Sequence, residues 1–265
     1  MKQIRISIIF TLLSLVLFPS CSVFDDHDGC PCYLTVHYDL FTGQVASSGR
    51  NIDILVSDAT GIVFDSAVDA DSFPEGTDIK VKKGRADMAA WTGMSSMTKN
   101  EPYLLVGDEC DSLYLYHAVV DCCDDLAEVH VEPLKQFCTL TVMVAGGEVW
   151  NGDGDWTLFA DYKGIEALTG NPVKGLDETR LRYLGDGVWQ CRICRQGDGL
   201  LVLVIDGPVG ETVTIPLHEI MEESGYDWTG ESLEDFTLYI GYAEEGELSW
   251  SVLPWKDGGD RKERI

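Results

Sequence analysis

The chain has 265 residues, of which 45% are hydrophobic and 24% are charged, and its net charge is −26. This length and apolar content are enough for one large or two ordinary cores, which argues against intrinsic disorder. The excess of acidic residues repels nucleic acid and anionic lipid headgroups, so both are excluded as charge-driven partners.

Residues 1–20 have the features of an export signal. Lys2 and Arg5 supply a positive start, and Ile6–Phe18 is an apolar stretch of about a dozen residues. Such a stretch is too short to span a bilayer of about 30 Å as a stable helix. We therefore predict that residues 1–20 direct export and are removed from the mature protein.

The residue after the predicted signal is a cysteine. Ser20 is a small residue directly before Cys21, and a cleavage site followed by Cys is typical of a bacterial lipoprotein. We predict cleavage between these two residues and acylation of the Cys21 thiol. The alternative is an ordinary signal peptide that happens to be followed by Cys. After cleavage, 45 acidic residues oppose 17 basic ones, so attachment to a membrane would depend on acyl chains rather than on a basic patch.

Residues 21–31 are predicted to be the acylated Cys and an acidic tether, because Ser22–Gly29 is polar and carries three Asp. Alternating apolar residues then predict strands. The Ser57–Gly61 turn joins two of these strands in a hairpin. The predicted strands of this part centre on Leu34–Tyr38, Ile52–Val56, Ile62–Phe64, Ile79–Val81, Ala86–Trp91, Leu113–Tyr116, Glu128–Glu132 and Cys138–Val144.

Glu148–Asp155 is rich in Gly and Asp and marks a predicted domain boundary. Strand patterns resume beyond it. One helix is predicted over Leu217–Ser224, because Leu217, Ile220 and Met221 share one face and Gly225 suits a helix stop. The later strands are predicted at Trp156–Ala160, Val188–Arg192, Leu200–Ile205, Thr212–Ile215, Phe236–Tyr242 and Leu248–Val252.

Short strands with turns between them and almost no helix indicate antiparallel β-sandwiches. We predict an all-β chain of two tandem sandwich domains, an N-terminal one at 32–147 and a C-terminal one at 148–256, with one short helix in the second. Residues 257–265 are predicted to be a mobile polar tail.

Eight cysteines remain besides Cys21, and an even number in an exported chain suggests disulfides. Reduced buried thiols and a zinc site are the alternatives, and the spacing assigns no pairing. Three short clusters are the candidate disulfide or thiol sites: Cys30 with Cys32, Cys122 with Cys123, and Cys191 with Cys194.

The chain lacks the sequence patterns of a catalytic or metal centre. The five histidines have no metal-ligand spacing, and no nucleophile elbow, phosphate loop or dinucleotide fingerprint occurs. Asn151-Gly-Asp153-Gly-Asp155 resembles the start of a calcium loop, but Tyr162 stands where an EF-hand needs Glu, so a plain surface loop is favoured. We predict a protein that is not an enzyme and has no cofactor and no metal.

Several segments match a known layout in order and spacing. Cys21 precedes an acidic stretch and Cys30-Pro31, and further matching segments are Lys83–Gly93, Glu132–Val142, Ile215–Met221 and a final hairpin of Phe236–Tyr242 with Ser249–Trp255. Together they resemble the FimB/Mfa-type family of fimbrial anchor lipoproteins from Bacteroidales. The acidic residues behind Cys21 also resemble the surface-export signal of Bacteroidetes lipoproteins.

The resemblance implies two transthyretin-like β-sandwich domains in a fimbrial subunit fixed to the outer membrane by lipid and exposed at the cell surface. It also implies fimbrial pilin subunits as partners, joined by β-strand complementation at a sheet edge. The subunit is either a basal anchor or an accessory subunit. The alternative function is a surface lipoprotein that binds glycan through aromatic loops, for which Trp150, Trp228 and Trp255 are the candidates.

Overall fold

The structure is a computed structural model, and it describes residues 29–38, 51–69, 76–145, 154–206, 212–242, 248–252 and 261–264. The chain divides into two units, Met1–Cys30 and Pro31–Ile265, and every described strand and helix belongs to the second. Strands dominate this unit, which confirms the predicted all-β class. Among the described residues, no helix has the length and apolar content needed to cross a bilayer.

Two sheets form the first sandwich. One has the order β4-β1-β9 and the other β10-β8-β5-β2-β3. Alternate residues of β1 and β2, such as Leu34 and Ile54, are fully buried between the sheets in the first core. The strands of this part of the chain are β1 (Pro31–His37), β2 (Asn51–Asp58), β3 (Gly61–Asp69), β4 (Thr77–Lys82), β5 (Arg85–Thr92), β6 (Thr98–Asn100), β7 (Tyr103–Leu105), β8 (Tyr114–Asp121), β9 (Leu126–His130) and β10 (Leu134–Lys135). Of these, β6 and β7 belong to a sheet of the second sandwich.

The second sandwich has sheets of order β14-β15-β11-β18-β19-β20 and β17-β16-β12-β7-β6, with β13 beside β12. Its second core includes Leu140 and Leu203 from opposite sheets and the stacked rings of Trp156 and Trp189, whose centroids are 4.7 Å apart. The strands are β11 (Phe137–Ala145), β12 (Asp155–Glu166), β13 (Pro172–Arg180), β14 (Arg182–Gly185), β15 (Val188–Cys194), β16 (Leu201–Asp206), β17 (Thr212–Ile215), β18 (Phe236–Tyr242), β19 (Leu248–Val252) and β20 (Arg261–Arg264).

The single described helix is α1, Leu217–Glu223, in the second half of the chain. Leu217, Ile220 and Met221 are its buried residues, as their spacing predicted. Gly225 follows with a φ of +83°, a left-handed conformation that glycine adopts without steric strain. The predicted helix and its stop are therefore confirmed.

One parallel strand pair in each sandwich departs from the predicted antiparallel pattern. β1 runs parallel to β9, and β11 runs parallel to β18, while the other pairs among the described strands are antiparallel. Parallel neighbours need a crossover connection, and the chain between β1 and β9 supplies it by building strands of the facing sheet. Alternation of apolar residues could not reveal this, because it reports which face is buried and not the direction of the neighbouring strand.

A third core, the junction core, lies on the far side of the five-stranded sheet. Leu55 of β2 and Trp91 of β5 are fully buried there with Leu104 and Ile165. β2 and β5 are thus buried on both faces, whereas their sequences predicted one buried face. β6 and β7 belong to the predicted N-terminal domain by sequence, yet β7 pairs with β12 of the second sandwich.

The predicted domain boundary largely lies outside the described residues, which omit 146–153, so the two domain ranges stay predictions. Short or polar strands were missed by the sequence, notably β13, because an edge strand with few buried side chains has weak apolar periodicity. In the predicted polar tail, Arg261–Arg264 forms β20 and pairs with β19.

Candidate functional site

Among the described strands, none covers one side of the first sandwich, between the outer edges of β8 and β9. β8 pairs with β5 over eight positions, but on its other edge only Tyr114 and Leu115 pair, with β10. The backbone of residues 116–121 therefore faces no described strand on that edge. β9 pairs with β1 and with no other described strand. We call this region, Tyr116–Asp121 and Leu126–His130, the open seam.

The open seam combines exposed and half-buried apolar side chains. Val119 and Leu126 are 51% and 72% exposed. Tyr116, Ala118 and Val120 alternate with exposed residues and pack only partly against the first core. An additional strand laid along this edge would cover that half-buried row and pair with the backbone groups that face no described strand.

A cavity of about 670 Å³ lies where β8 and β10 separate, at one end of the open seam. Tyr116, His117 and Leu134 line it from the first half of the chain. The second half contributes the turn around Gly170 and the loop Trp228–Glu231. The cavity is thus built from both halves of the chain.

Arg195 stabilises the loop that lines one side of the cavity. The residue is only 8% exposed, and its Nε donates a hydrogen bond to Gln136 Oε1 over 2.8 Å. Its Nη1 donates to the carbonyl of Trp228 over 2.5 Å, and its Nη2 to those of Gly230 and Glu231 over 2.8 and 3.1 Å. Burial lowers the pKa of Arg195, but a guanidinium stays charged at neutral pH. These bonds fix the loop that forms one wall of the cavity.

His117 is the titratable group at the mouth of the cavity. Partial burial of the ring lowers its pKa, and the positive charge of Arg195 lowers it further, so the imidazole is neutral at pH 7. Gly170 lies against this ring with a φ of +70°, and a Cβ at that position would be 2.4 Å from Nε2 of His117. A glycine is therefore required for the turn to approach the histidine so closely.

The sequence-predicted site residues fall in different places. Ser20 and Cys21 lie outside the described residues, as do Trp150 and Trp255. Two buried members of the three cysteine clusters lie beside cysteines elsewhere in the chain: Cys32 is next to Cys122, and Cys194 is next to Cys110. Cys30 and Cys123 are exposed, and Cys191 is buried.

The aromatic loop residue Trp228 does not fit the predicted role of a sugar platform. It is 6% exposed and packs edge-on against Tyr226 in the second core. A ring in that position cannot stack on a sugar without unpacking the core. The sequence did not predict this burial, because Trp228 lies in a loop without apolar periodicity.

One group of potential metal ligands was missed by the sequence. His37, Glu128 and His130 lie on the outer face of the three-stranded sheet, and their ligand atoms are within 4.8 Å of one another. Ninety-odd residues separate His37 from the other two, and parallel pairing of β1 with β9 aligns them. The only local signal was Glu128-Val129-His130, which places two ligand types on one face of a strand.

Several solved structures from Bacteroidales have a similar fold. The fimbrial anchor protein Mfa2 from Porphyromonas gingivalis superposes with a TM-score of 0.61 over 85% of this chain and 98% of that one, at 13% identity. A proposed adhesin from Bacteroides ovatus has a TM-score of 0.63 over 89% and 96%, at 12% identity. A proposed polysaccharide-binding protein from Bacteroides thetaiotaomicron has a TM-score of 0.60 over 89% and 98%, at 13% identity.

No protein-family model matches the chain, and neither does the sequence of any curated protein. Identities of 12–13% establish a shared fold and nothing finer. The resemblance to fimbrial anchor proteins that the sequence predicted is confirmed at the level of the fold.

Proposed function

We propose that this protein is a lipid-anchored structural subunit of a Bacteroidales-type fimbria, and that a neighbouring subunit adds a strand at the open seam. The observation that carries the proposal is the seam itself, a side that the described strands leave incompletely covered, in a sandwich that has the fold of a fimbrial anchor protein. The role is structural rather than catalytic, and the subunit is either the basal anchor or an accessory subunit.

The chemistry of the open seam suits strand complementation. The backbone of residues 116–121 can pair with an extended chain, which gives affinity independent of sequence. The half-buried row of Tyr116, Ala118 and Val120 can receive every second side chain of that strand, which gives selectivity. At one end of the seam, the cavity offers room for the residues that follow or precede the donated strand.

Site-specific photo-crosslinking tests this joint. A photoreactive residue at exposed Val119 should crosslink to a neighbouring subunit in fimbriated cells. The matched control is Leu176, which is 71% exposed in the edge strand β13 on the other sandwich. Crosslinks at Leu176 and none at Val119 would mean that a different edge forms the joint.

Anchoring is proposed to depend on a fatty acyl group at Cys21. The Cys21→Ala protein should appear in the soluble fraction, and mass spectrometry of the wild-type N-terminal peptide should show acylation. Cells with that variant should shed fimbriae or make fimbriae of altered length. An unmodified thiol at Cys21 in the wild-type protein would refute lipid anchoring while leaving strand complementation intact.

Glycan binding is the second candidate function, favoured by the similar fold of a proposed polysaccharide-binding protein. Trp91, Trp156, Trp189 and Trp228 are all at most 6% exposed, which argues against them as sugar platforms. Titration with bacterial and host polysaccharides, followed by intrinsic tryptophan fluorescence, separates the two functions. Saturable quenching with unchanged fimbriae in a deletion strain would favour the glycan role.

A further inference from the structure

The buried cysteines are distributed evenly among the three cores. None of the six is more than 2% exposed. Each core contains two of them: Cys32 and Cys122 in the first core, Cys110 and Cys194 in the junction core, and Cys138 and Cys191 in the second core.

The side chains of Cys32 and Cys122 lie beside each other in the first core. Cys32 lies in β1, where it pairs with Val81 of β4. Cys122 directly follows β8, and its backbone exchanges hydrogen bonds with Gly84, of 2.7 and 3.2 Å. Both backbones are therefore fixed, and the two thiols meet between the facing sheets of the first sandwich.

The side chains of Cys110 and Cys194 also lie beside each other, in the junction core, and Cys110 Sγ donates to the carbonyl of Asp111 over 3.4 Å. Cys194 ends β15 and pairs with Phe137 of β11. Cys110 lies in the loop after β7, next to Asp111, whose carboxylate accepts backbone hydrogen bonds from Ser95 and Met97. This contact joins a loop of the first half of the chain to the second sandwich.

Cys138 and Cys191 are arranged differently. Cys138 pairs with Ile193 and Cys191 with Leu140, so the two cysteines are diagonal neighbours rather than direct partners. Diagonal positions are about 7–8 Å apart, whereas a disulfide needs Cβ atoms about 3.5–4.5 Å apart. Cys138 lies beside Tyr226 instead, whose hydroxyl donates to the carbonyl of Glu234 over 2.8 Å.

We propose that the exported protein contains two disulfides, Cys32–Cys122 and Cys110–Cys194, and that Cys138 and Cys191 remain thiols. The proposal depends on the export that the proposed function assumes, because thiols stay reduced in the cytosol. The first bond ties the two sheets of one sandwich together. The second ties the two halves of the chain together across the junction core, where a pull on an assembled fimbria would otherwise separate packed surfaces.

Each bond forms by two thiol–disulfide exchanges with an oxidant of the disulfide class. One cysteine thiolate attacks the oxidant's disulfide and displaces one thiolate, which leaves a mixed disulfide. The second cysteine thiolate attacks the protein sulfur of that bond and displaces the other. The two cysteines lose two protons and two electrons in total, and the oxidant is reduced to two thiols.

Burial delays this chemistry once the protein has folded. It raises the pKa of Cys122 to about 12 and raises that of Cys110 well above its usual value, so few thiolates are present at neutral pH. The bonds therefore form while the cores are still open. Oxidation of the folded, reduced protein should accelerate in mild denaturant.

Refolding in a glutathione redox buffer tests the pairing without any need for export. The Cys21→Ser protein is reduced, denatured, refolded with glutathione disulfide, alkylated and digested for mass spectrometry. The expected products are a Cys32–Cys122 peptide pair, a Cys110–Cys194 peptide pair, and alkylated Cys138 and Cys191. Other linkages among these six residues, or six alkylated thiols, would overturn the proposal.

Two variants sharpen the result. Cys194→Ser should lose one linkage and unfold at lower denaturant than the parent in oxidising buffer, with a smaller difference in reducing buffer. Cys191→Ser should keep both linkages. Alkylation in intact cells then separates the two hypotheses: if the refolded protein forms both bonds but the cellular protein has free thiols, the pairing stands and the predicted export is wrong.

A second inference rests on the histidines of the three-stranded sheet. The rings of His37 and His130 stack with centroids 4.5 Å apart and an interplanar angle of 14°. They are direct partners in the parallel pair β1–β9. Glu128 is on the same face as His130, two residues earlier, so two imidazoles and a carboxylate converge on one exposed spot.

We infer that His37, Glu128 and His130 bind a divalent zinc-type cation. Two imidazoles and one carboxylate are a donor set that Zn²⁺ favours, and water can occupy the fourth position. The ligand atoms are within 4.8 Å of one another, and rotation of the exposed Glu128 and His130 side chains brings them to the spacing of about 3.3 Å that tetrahedral Zn²⁺ needs. The net charge of −26 attracts cations to the surface generally.

Calorimetric titration with Zn²⁺ alone, in excess Mg²⁺ to occupy carboxylate sites, tests this inference on protein without a histidine tag. One site is expected at pH 7.5, and it should weaken at least tenfold in His130→Ala and in Glu128→Gln. Tyr33→Ala, an exposed residue on the same sheet face, should bind like the wild type. Equal binding by His130→Ala, or no site in the wild type, would overturn the inference.

Discussion

Arg195 Nε donates a 2.8 Å hydrogen bond to Oε1 of Gln136, and this pair links the cavity wall to the start of β11. Gln136 in turn donates through Nε2 to the carbonyls of Leu134 and Glu231. The guanidinium and the amide thus hold the loop 228–231 from two sides. The buried guanidinium of Arg195 thus stabilises this loop by donating hydrogen bonds to its backbone carbonyls.

Replacement of Arg195 by Met should lower the free energy of unfolding by about 2–4 kcal/mol, because the Gln136 amide oxygen and three buried or partly buried backbone carbonyls lose their donor. Urea denaturation measures the change. Arg180, whose side chain is 73% exposed, provides a control, and Arg180→Met should change stability by less than about 0.5 kcal/mol. Equal effects of the two variants would show that the loop is held by other contacts.

Asp111 should make the protein less stable in acid. Burial raises its pKa, but hydrogen bonds from Met97, Ser95 and Ser96 outweigh burial, so the pKa is below its usual value of 3.8. The unfolded state then binds the proton more readily, and the stabilisation is present above about pH 4 and lost as the pH falls through the lowered pKa.

The Asp111→Asn variant tests that pH dependence. At pH 7 it should be less stable by about 2–3 kcal/mol, since an amide cannot accept all of those bonds. The difference from the wild type should shrink between pH 5 and pH 2, measured by urea denaturation at each pH. Asp108→Asn, at an exposed position nearby, should show no such convergence. A constant difference across the pH range would contradict the assigned role.

Gly93 and Gly61 form a matched pair of left-handed glycines, with φ of +95° and +116°. A Cβ at Gly93 would be 2.0 Å from the carbonyl oxygen of Ser112, whereas a Cβ at Gly61 would meet nothing within 4 Å. Gly61→Ala should cost about 1–2 kcal/mol from backbone strain alone. Gly93→Ala should cost about 2–5 kcal/mol, because overpacking adds to the strain. Thermal and urea unfolding measure the loss of stability in each variant. Equal losses in Gly61→Ala and Gly93→Ala would contradict the prediction.

Val119→Lys should block strand addition at the open seam without unfolding the protein. Lysine on an edge strand disfavours pairing with another chain, and Val119 is already 51% exposed. Fimbriae should be lost or shortened in electron micrographs, while the urea midpoint of the purified protein stays within about 0.5 kcal/mol of the wild type. Leu176→Lys should leave fimbriae normal. Normal fimbriae in the Val119→Lys strain would point to another joint.

The sequence predicted the class of the fold and most of its elements because period-two alternation reflects burial of one strand face. Thr212–Ile215, Phe236–Tyr242 and Leu248–Val252 coincide with β17, β18 and β19. α1 was equally clear, since Leu217, Ile220 and Met221 satisfy helical spacing and Gly225 ends the run. The resemblance to fimbrial anchor proteins, drawn from the order of weak motifs, also holds for the fold.

The candidate sites were less predictable. The cysteine spacing favoured Cys191 with Cys194 as one cluster, yet Cys194 meets Cys110, over eighty residues earlier. The open seam was expected only as an unspecified sheet edge. No pattern in Tyr114–Asp121 shows that β10 covers just its first two residues.

The local order of apolar, polar and glycine residues by itself determined the strands, the helix and the predicted export signal, because each depends on neighbours a few positions away. The tertiary structure alone decided the parallel pairs, the double burial of β2 and β5, the meeting of Cys32 with Cys122, and the His37–His130 stack. Those features arise when distant strands pack together, and alternation along a strand carries no information about which strand will lie beside it or in which direction.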